Sequence, residues 1–152
     1  MGLDQWLYKK SYILSGNWIK EDKRQEVTVT QGGEPDPKIK SDRIKYVSEE
    51  IGYWRKANAI HKWFVDNVQD GKDDCGTYPV TRDQLSKLHA LCKAVTEDNS
   101  KASELLPSQN GFFFGSTEYD EWYFKDISMT MAIIEDCLSE EDAEEFEYSS
   151  SW

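Results

Sequence analysis

The spacing of apolar and polar residues predicts strands in the first third of the chain. Residues 4–15 have a partly alternating, β-rich pattern that predicts a strand or a pair of strands, and residues 26–30 alternate as a second strand would. Two prolines and two glycines lie within residues 31–38 and predict an exposed loop.

Two amphipathic helices are predicted next. Ser48 is a suitable N-cap for the first helix, whose apolar residues recur at helical spacing to about residue 69. Thr81 and Gln84 have the spacing of a capping box, which predicts the start of the second helix. Asp98-Asn99-Ser100 is expected to end it.

The remaining chain is aromatic and then acidic. The segment GFFFGSTEYDEWYF (111–124) predicts a β-hairpin, and buried positions at helical spacing predict a last helix over 127–138. We therefore expect an α+β fold, in which a small antiparallel sheet with an aromatic hairpin packs against two to three helices. Residues 1–138 are expected to form a single domain, and 139–152 an acidic flexible tail.

The charge is unevenly distributed along the 152 residues. The net charge is −11, and eight acidic residues lie between Glu135 and Glu147 without a single basic one. Nucleic-acid binding needs clustered lysine and arginine, so direct binding of DNA or RNA is disfavoured. Binding of a small anionic ligand is compatible with this net charge, because a local basic cluster acts within a Debye length of ~8 Å.

The location is expected to be the cytoplasm. No apolar run approaches the ~18 residues of a membrane span. Asp4 stands where a signal peptide has its basic region, and three cysteines are too few for a disulfide scaffold. We expect no membrane association, while a homo-oligomer stays open.

The most unusual segment is YWRKANAIHKWF (53–64). On the predicted helix, an indole, an amide and an imidazole share one face beside a guanidinium, and aromatic residues of the predicted hairpin would lie opposite. Such a group can hold a nucleotide by stacking, hydrogen bonding and a bidentate phosphate contact. The candidate ligand-binding residues are Trp54, Arg55, Asn58, His61, Tyr119 and Trp122. The alternative is that this row is simply the buried face of an amphipathic helix.

Catalytic and metal-binding motifs are weaker. A hydrolase pairing His61 with Asp120 is conceivable, but no nucleophile motif supports it, so no catalytic residue is assigned. His89 and Cys92 could chelate from one helix face, yet their spacing to His61 and Cys75 follows no zinc pattern. The sequence therefore predicts neither a metal nor a cofactor.

Four blocks carry a resemblance. MGLDQWLYKK, YWRKANAIHKWF, DDCGTYPVTRDQL and GFFFGSTEYDEWYF resemble a family of small phage and prophage proteins of uncharacterised function, over most of residues 1–135. The resemblance implies a phage gene product in a bacterial host cell, but carries over no catalytic residues. Small phage proteins of this kind often disable host defences.

Two functions follow as alternatives. The first is a host-takeover or anti-defence binding protein that captures a small nucleotide-like ligand between the 48–69 helix and the 111–124 hairpin. The second is an acidic inhibitor that mimics nucleic acid and blocks a host nuclease or another defence protein, using the negative charge of its tail and middle.

Overall fold

Six strands and four helices make up the part of the chain that the computed structural model describes, residues 2–143 and 145–152. The strands are β1 (Asp4–Tyr12), β2 (Thr30–Gln31), β3 (Glu34–Pro35), β4 (Tyr46–Arg55), β5 (Thr77–Val80) and β6 (Glu145–Ser151). The helices are α1 (Asn58–Asn67), α2 (Arg82–Glu97), α3 (Ala102–Leu105) and α4 (Glu121–Ser139). The predicted α+β class is confirmed.

Four of the strands form one antiparallel sheet in the order β4-β1-β6-β5, and β2 pairs with β3 in a separate small hairpin. Leu7 of β1 lies opposite Gly52 of β4 on one side and Tyr148 of β6 on the other. A register shift follows Leu7 in the pairing with β4. The first and last strands of the chain are therefore the two central strands of the sheet.

One face of the sheet forms the core with the helices. The side chains of Leu7, Trp54, Phe146 and Tyr148 are fully or almost fully buried there. The Phe64 ring of α1 stacks on the Tyr148 ring at a centroid distance of 3.9 Å. Because stacked aromatic rings bury large apolar areas, this contact fixes α1 against the middle of the sheet.

The N-terminal half of the first predicted helix is wrong: residues 46–55 are strand β4, and α1 begins only at Asn58. Burial alternates over Gly52, Tyr53, Trp54 and Arg55, as expected for a strand with one face in the core. Gly52 lies so close to α4 that a Cβ there would meet the Ile133 side chain at 2.5 Å. This glycine suits close packing of a strand, and its position argued against a helix interior.

The predicted hairpin over 111–124 is also wrong, because residues 111–120 contain no strand and α4 already begins at Glu121. The Asp120 carboxylate accepts hydrogen bonds from the backbone N–H groups of Trp122 and Tyr123 and caps the helix. Gly115 has a φ of +84° and makes the turn in the preceding loop. The aromatic residues favoured a strand by propensity, but the N-cap decides the local structure.

The prediction of a flexible acidic tail over 139–152 is wrong for Glu145–Ser151, because these residues form strand β6. This strand lies between β1 and β5, and Phe146 and Tyr148 face the core. The intervening acidic side chains face the other way, where Glu147 forms an ion pair with Lys10 at 3.0 Å. Acidic composition suggested disorder, but the alternation of acidic and aromatic residues is that of a half-buried strand.

Other predicted elements agree with the structure to different degrees. The capping box of α2 is formed, with the Gln84 backbone donating to Thr81 and the Gln84 side chain accepting from the Thr81 backbone. The strand predicted over 26–30 is limited to its last residue, which begins the β2–β3 hairpin. Among the described residues, no helix is both long and apolar enough to cross a membrane.

Candidate functional site

The junction between β4 and α1 separates the predicted site residues in space. Trp54 points from β4 into the core, is fully buried, and donates from Nε1 to Thr130 Oγ1 at 2.9 Å. The side chain of Arg55 alternates to the exposed side of the strand. Trp54 is therefore a core residue, as its apolar position predicted, and does not reach a ligand cavity.

Asn58, at the first turn of α1, holds the loop that precedes α4. Its side-chain nitrogen donates to the carbonyl oxygens of Phe114 and Ser116 at 3.0 and 2.9 Å. Its side-chain oxygen accepts from the backbone N–H of Gln109 at 2.9 Å. Because each part of the amide is engaged within the protein, Asn58 positions the loop and leaves little capacity for a ligand.

His61 lies one turn further along α1 and is buried. Its Nδ1 is 2.8 Å from the Tyr148 hydroxyl, and its Nε2 is 3.0 Å from Asp73 Oδ1. Burial lowers the pKa of His61, although the nearby Asp73 carboxylate partly opposes this effect. The imidazole is therefore neutral at neutral pH and is occupied on both nitrogens.

A pocket opens at this junction, between residues 55–60 and the segment 115–127. Its volume is about 370 Å³. Ala57, Ile60, Tyr123 and Ile127 supply its apolar part. The polar and charged residues at its wall are Arg55, Lys56, Asn58, Ser116, Glu118, Asp120 and Asp126, and Trp122 adds an indole.

The side chains of the two cations of the pocket form no ion pair with the described residues. Arg55 is the last residue of β4, and Lys56 follows it with a φ of +59°. The Lys56 backbone N–H donates to the Leu3 carbonyl at 2.7 Å, which holds this left-handed residue in place. A fixed backbone thus presents two adjacent positive side chains at the pocket.

The carboxyl groups of the pocket differ in how they are used. Asp120 already accepts two backbone hydrogen bonds as the cap of α4. The side chain of Asp126 is half-buried and has no hydrogen-bond partner among the described residues. Burial raises the pKa of Asp126 to about 6, with Lys125 lowering it and Asp120 raising it to a smaller extent. Asp126 and the exposed Glu118 are therefore the carboxyl groups that remain available to a ligand, and Asp126 is the more buried of the two.

The aromatic residues of the segment 119–123 differ in their position and exposure. Trp122 lies at the pocket and is 63% exposed. Tyr119 does not line the pocket; it packs edge-to-face on Tyr123 at a centroid distance of 4.9 Å and accepts at its hydroxyl from the Ser108 N–H. Tyr123 is buried and donates to the Leu106 carbonyl at 2.7 Å. Of these three residues, Trp122 therefore has the most exposed ring, with the Lys125 ammonium 5.3 Å from its centroid.

The structure thus brings Arg55, Asn58 and Trp122 to one pocket and places the other three candidates, Trp54, His61 and Tyr119, away from its wall. Lys56 and Asp126 were not among the candidate residues predicted from the sequence. Asp126 lies four residues after Trp122, so both face the same side of α4, but this relation was hidden while Trp122 was assigned to a strand.

The possible metal ligands and the catalytic pair are dispersed. His89 contacts Glu135 at 2.9 Å, whereas Cys92 is fully buried, which raises its pKa to about 12. Within residues 2–143 and 145–152, no cluster of three or more histidine, cysteine or acidic side chains could hold a metal ion. His61 is bonded to Tyr148 and Asp73, so it does not form the pair proposed for a hydrolase.

Comparison with known proteins gives no relative to extend this description: no protein-family model, curated protein or solved structure matches the chain.

Proposed function

We propose that this protein is a binding protein that captures a small nucleotide-like ligand in the pocket between the β4–α1 junction and α4. The observation that carries the proposal is that Arg55 and Lys56, which form no ion pair with the described residues, lie at the same pocket as an exposed indole. A nucleotide combines an anionic group with a planar ring, and so matches both features.

The anionic group would bind at Arg55 and Lys56. A guanidinium forms two parallel hydrogen bonds to a phosphate, and an ammonium adds a compact positive charge. The N-terminus of α4 is a poorer anion site, because the Asp120 carboxylate already occupies its backbone N–H groups. The phosphate is thus directed to the β4–α1 side of the pocket.

The planar ring would pack against Trp122. Stacking of a base on an aromatic side chain contributes about 1–3 kcal/mol, and the indole is exposed enough to provide that surface. The volume of about 370 Å³ lies within the usual range of roughly 300–1,000 Å³ for small-molecule sites. The buried Tyr123 and Ile127 would form an apolar floor.

The acidic-inhibitor alternative has less support from the described contacts. Lys9 forms an ion pair with Glu140, and Lys10 forms one with Glu147. Part of the C-terminal negative charge is therefore balanced by lysines of β1, which reduces the field available to a basic partner. We accordingly favour capture of a ligand over mimicry of nucleic acid.

The biological setting in the proposal comes from the resemblance to small phage proteins. A protein that binds a nucleotide tightly can lower the free concentration of a host signal without catalysis. We propose that host takeover or interference with defence in the bacterial cytoplasm proceeds by this route. The resemblance is a weaker support than the pocket, because it concerns origin and not chemistry.

A thermal-melting screen against linear and cyclic nucleotides tests the function. A ligand at a hundred times its Kd adds about 2.7 kcal/mol to the unfolding free energy. For a domain of this size that raises the melting temperature by roughly 5–10 °C. Arg55→Ala should abolish this shift while the unliganded variant melts within a few degrees of wild type, because Arg55 is exposed.

Arg43→Ala is the matched control, since Arg43 is an exposed arginine in a 3-10 turn away from the pocket. This variant should keep the full ligand-induced shift. The absence of a shift for wild type with every nucleotide would overturn the proposed function. If Arg55→Ala kept the ligand-induced rise in melting temperature, the phosphate would not bind at the β4–α1 junction.

A further inference from the structure

Asp126 gives the pocket a chemical preference that the cations and the indole do not explain. It lies one helical turn after Trp122 on α4, and both side chains line the pocket. Its carboxyl group has no hydrogen-bond partner among the described residues. Because the group is half-buried at the pocket wall and is not engaged by the protein, a ligand that donates hydrogen bonds to it gains binding free energy.

The ionisation of Asp126 determines which partner fits. Although burial raises its pKa to about 6, the group is mostly a carboxylate at pH 7.5 and can only accept hydrogen bonds. Two neighbouring N–H donors in one plane satisfy a carboxylate best, because each oxygen then receives one hydrogen bond.

Among the common nucleobases, only guanine presents such a pair, at its ring N1–H and its exocyclic 2-amino group. Adenine and cytosine place a ring-nitrogen acceptor beside their amino group, and uracil flanks its N–H with two carbonyl oxygens. Each of these three edges would bring a lone pair towards the carboxylate. The base that matches the pocket is therefore the one with adjacent donors.

We propose that the pocket selects guanine nucleotides, with the Asp126 carboxylate accepting from N1–H and the 2-amino group while Trp122 packs against the base. This inference rests on the proposed nucleotide-binding function and specifies its ligand class. Arg55 and Lys56, from the β4–α1 side of the same pocket, would receive the phosphate.

Isothermal titration calorimetry at pH 7.5 with five nucleoside 5′-monophosphates tests the selectivity. Wild type should bind the guanine nucleotide roughly 10–100-fold more tightly than the adenine, cytosine and uracil nucleotides, the discrimination expected of a bidentate contact. The hypoxanthine nucleotide keeps N1–H but lacks the 2-amino group, so its affinity should lie between these limits.

Variants connect the selectivity to Asp126. Asp126→Asn has the same shape but replaces one acceptor by a donor, and should reduce the guanine preference to within about threefold. Asp22→Asn, at an exposed aspartate in a 3-10 turn, should retain the full preference. The relative affinities of wild type for the five nucleotides test the guanine preference even if Asp126→Asn does not fold.

The possible failures are distinguishable. Equal affinity of wild type for all five nucleotides would overturn the guanine inference and leave the nucleotide-binding function intact. No binding of any nucleotide would overturn both. A guanine preference that survives in folded Asp126→Asn would also overturn the inference, because another group would then read the base.

Discussion

Two polar groups of residues border α1 and differ in one respect. The interior cluster, which comprises Gln5, His61, Asp73 and Tyr148, forms a continuous set of hydrogen bonds within the protein. The pocket brings Arg55, Lys56, Asp126 and Trp122 together without such bonds between them. The types of polar residue did not distinguish the two groups. What distinguishes them is whether their donors and acceptors are hydrogen-bonded within the protein.

The interior cluster has one consistent arrangement of protons when His61 is neutral. Gln5 donates to the Tyr148 hydroxyl, which donates to His61 Nδ1, and His61 Nε2–H donates to the Asp73 carboxylate. The Trp152 indole adds a second donor to Asp73 at 2.9 Å. Each of the four side chains is engaged by another member of the cluster, so we assign the cluster to stability.

The largest expected effect comes from removing the strand that completes the interior cluster. Deleting residues 145–152 removes Tyr148 and the central strand β6, which separates β1 from β5 and exposes the Phe64 face of α1. We expect this variant not to fold, as judged by loss of near-ultraviolet circular dichroism and of a cooperative melting transition. A native-like melting curve would contradict the assignment of β6 to the core.

A pair of tryptophan variants gives the next largest effect and compares the core with the pocket. Trp54→Ala should lower the unfolding free energy by roughly 3–5 kcal/mol, because a fully buried indole and its bond to Thr130 are lost. Trp122→Ala should change it by less than about 1 kcal/mol, because that indole is mainly exposed. Chemical denaturation measures both values, and equal losses would contradict the distinction between core and pocket.

Smaller, opposite pH effects should distinguish His61 from Asp126. The pKa of His61 is lowered by folding, so protonation favours the unfolded chain and its contribution to stability is lost as the pH falls below its ordinary value of about 6.5. The pKa of Asp126 is raised to about 6, so protonation favours the folded chain as the pH falls from about 6 towards 4.

Chemical denaturation of matched variants between pH 7 and pH 4.5 checks these signs. The stability of wild type relative to His61→Gln should decrease as the pH falls, whereas its stability relative to Asp126→Asn should increase. Comparing each variant with wild type cancels the titration of the other acidic residues. Parallel trends for the two variants would show that the two environments do not differ as described.

The sequence predicted the elements whose signals are local. The capping box of α2 depends on two residues three positions apart, and the β-rich spacing at the start of β1 is visible without tertiary context. Burial of Trp54 agrees with the alternative that this row is a buried face, although the residue lies on a strand and not on the expected helix. An apolar indole is buried in either element, so this prediction did not depend on the secondary structure.

The errors came from weighing composition above local signals. Gly52 argued against a helix interior, Asp120 was a good N-cap, and the alternation around Phe146 and Tyr148 indicated a strand. The pocket itself could be predicted only in part, because Lys56 and Asp126 become neighbours through the packing of α4 against β4. Long-range pairing of this kind leaves no periodic signal in the sequence.

Nitrogen-15 NMR of the tryptophan indoles tests the central claim most directly, because the chain has six tryptophans and each gives its own indole N–H signal. On titration with guanosine 5′-monophosphate, the signal of Trp122, identified with Trp122→Phe, should move most and saturate. The signals of Trp54 and Trp152, which donate to Thr130 and Asp73 within the protein, should stay in place. Movement of the Trp152 signal with an unchanged Trp122 signal would contradict the account, since it would place the ligand at the interior cluster and not in the pocket.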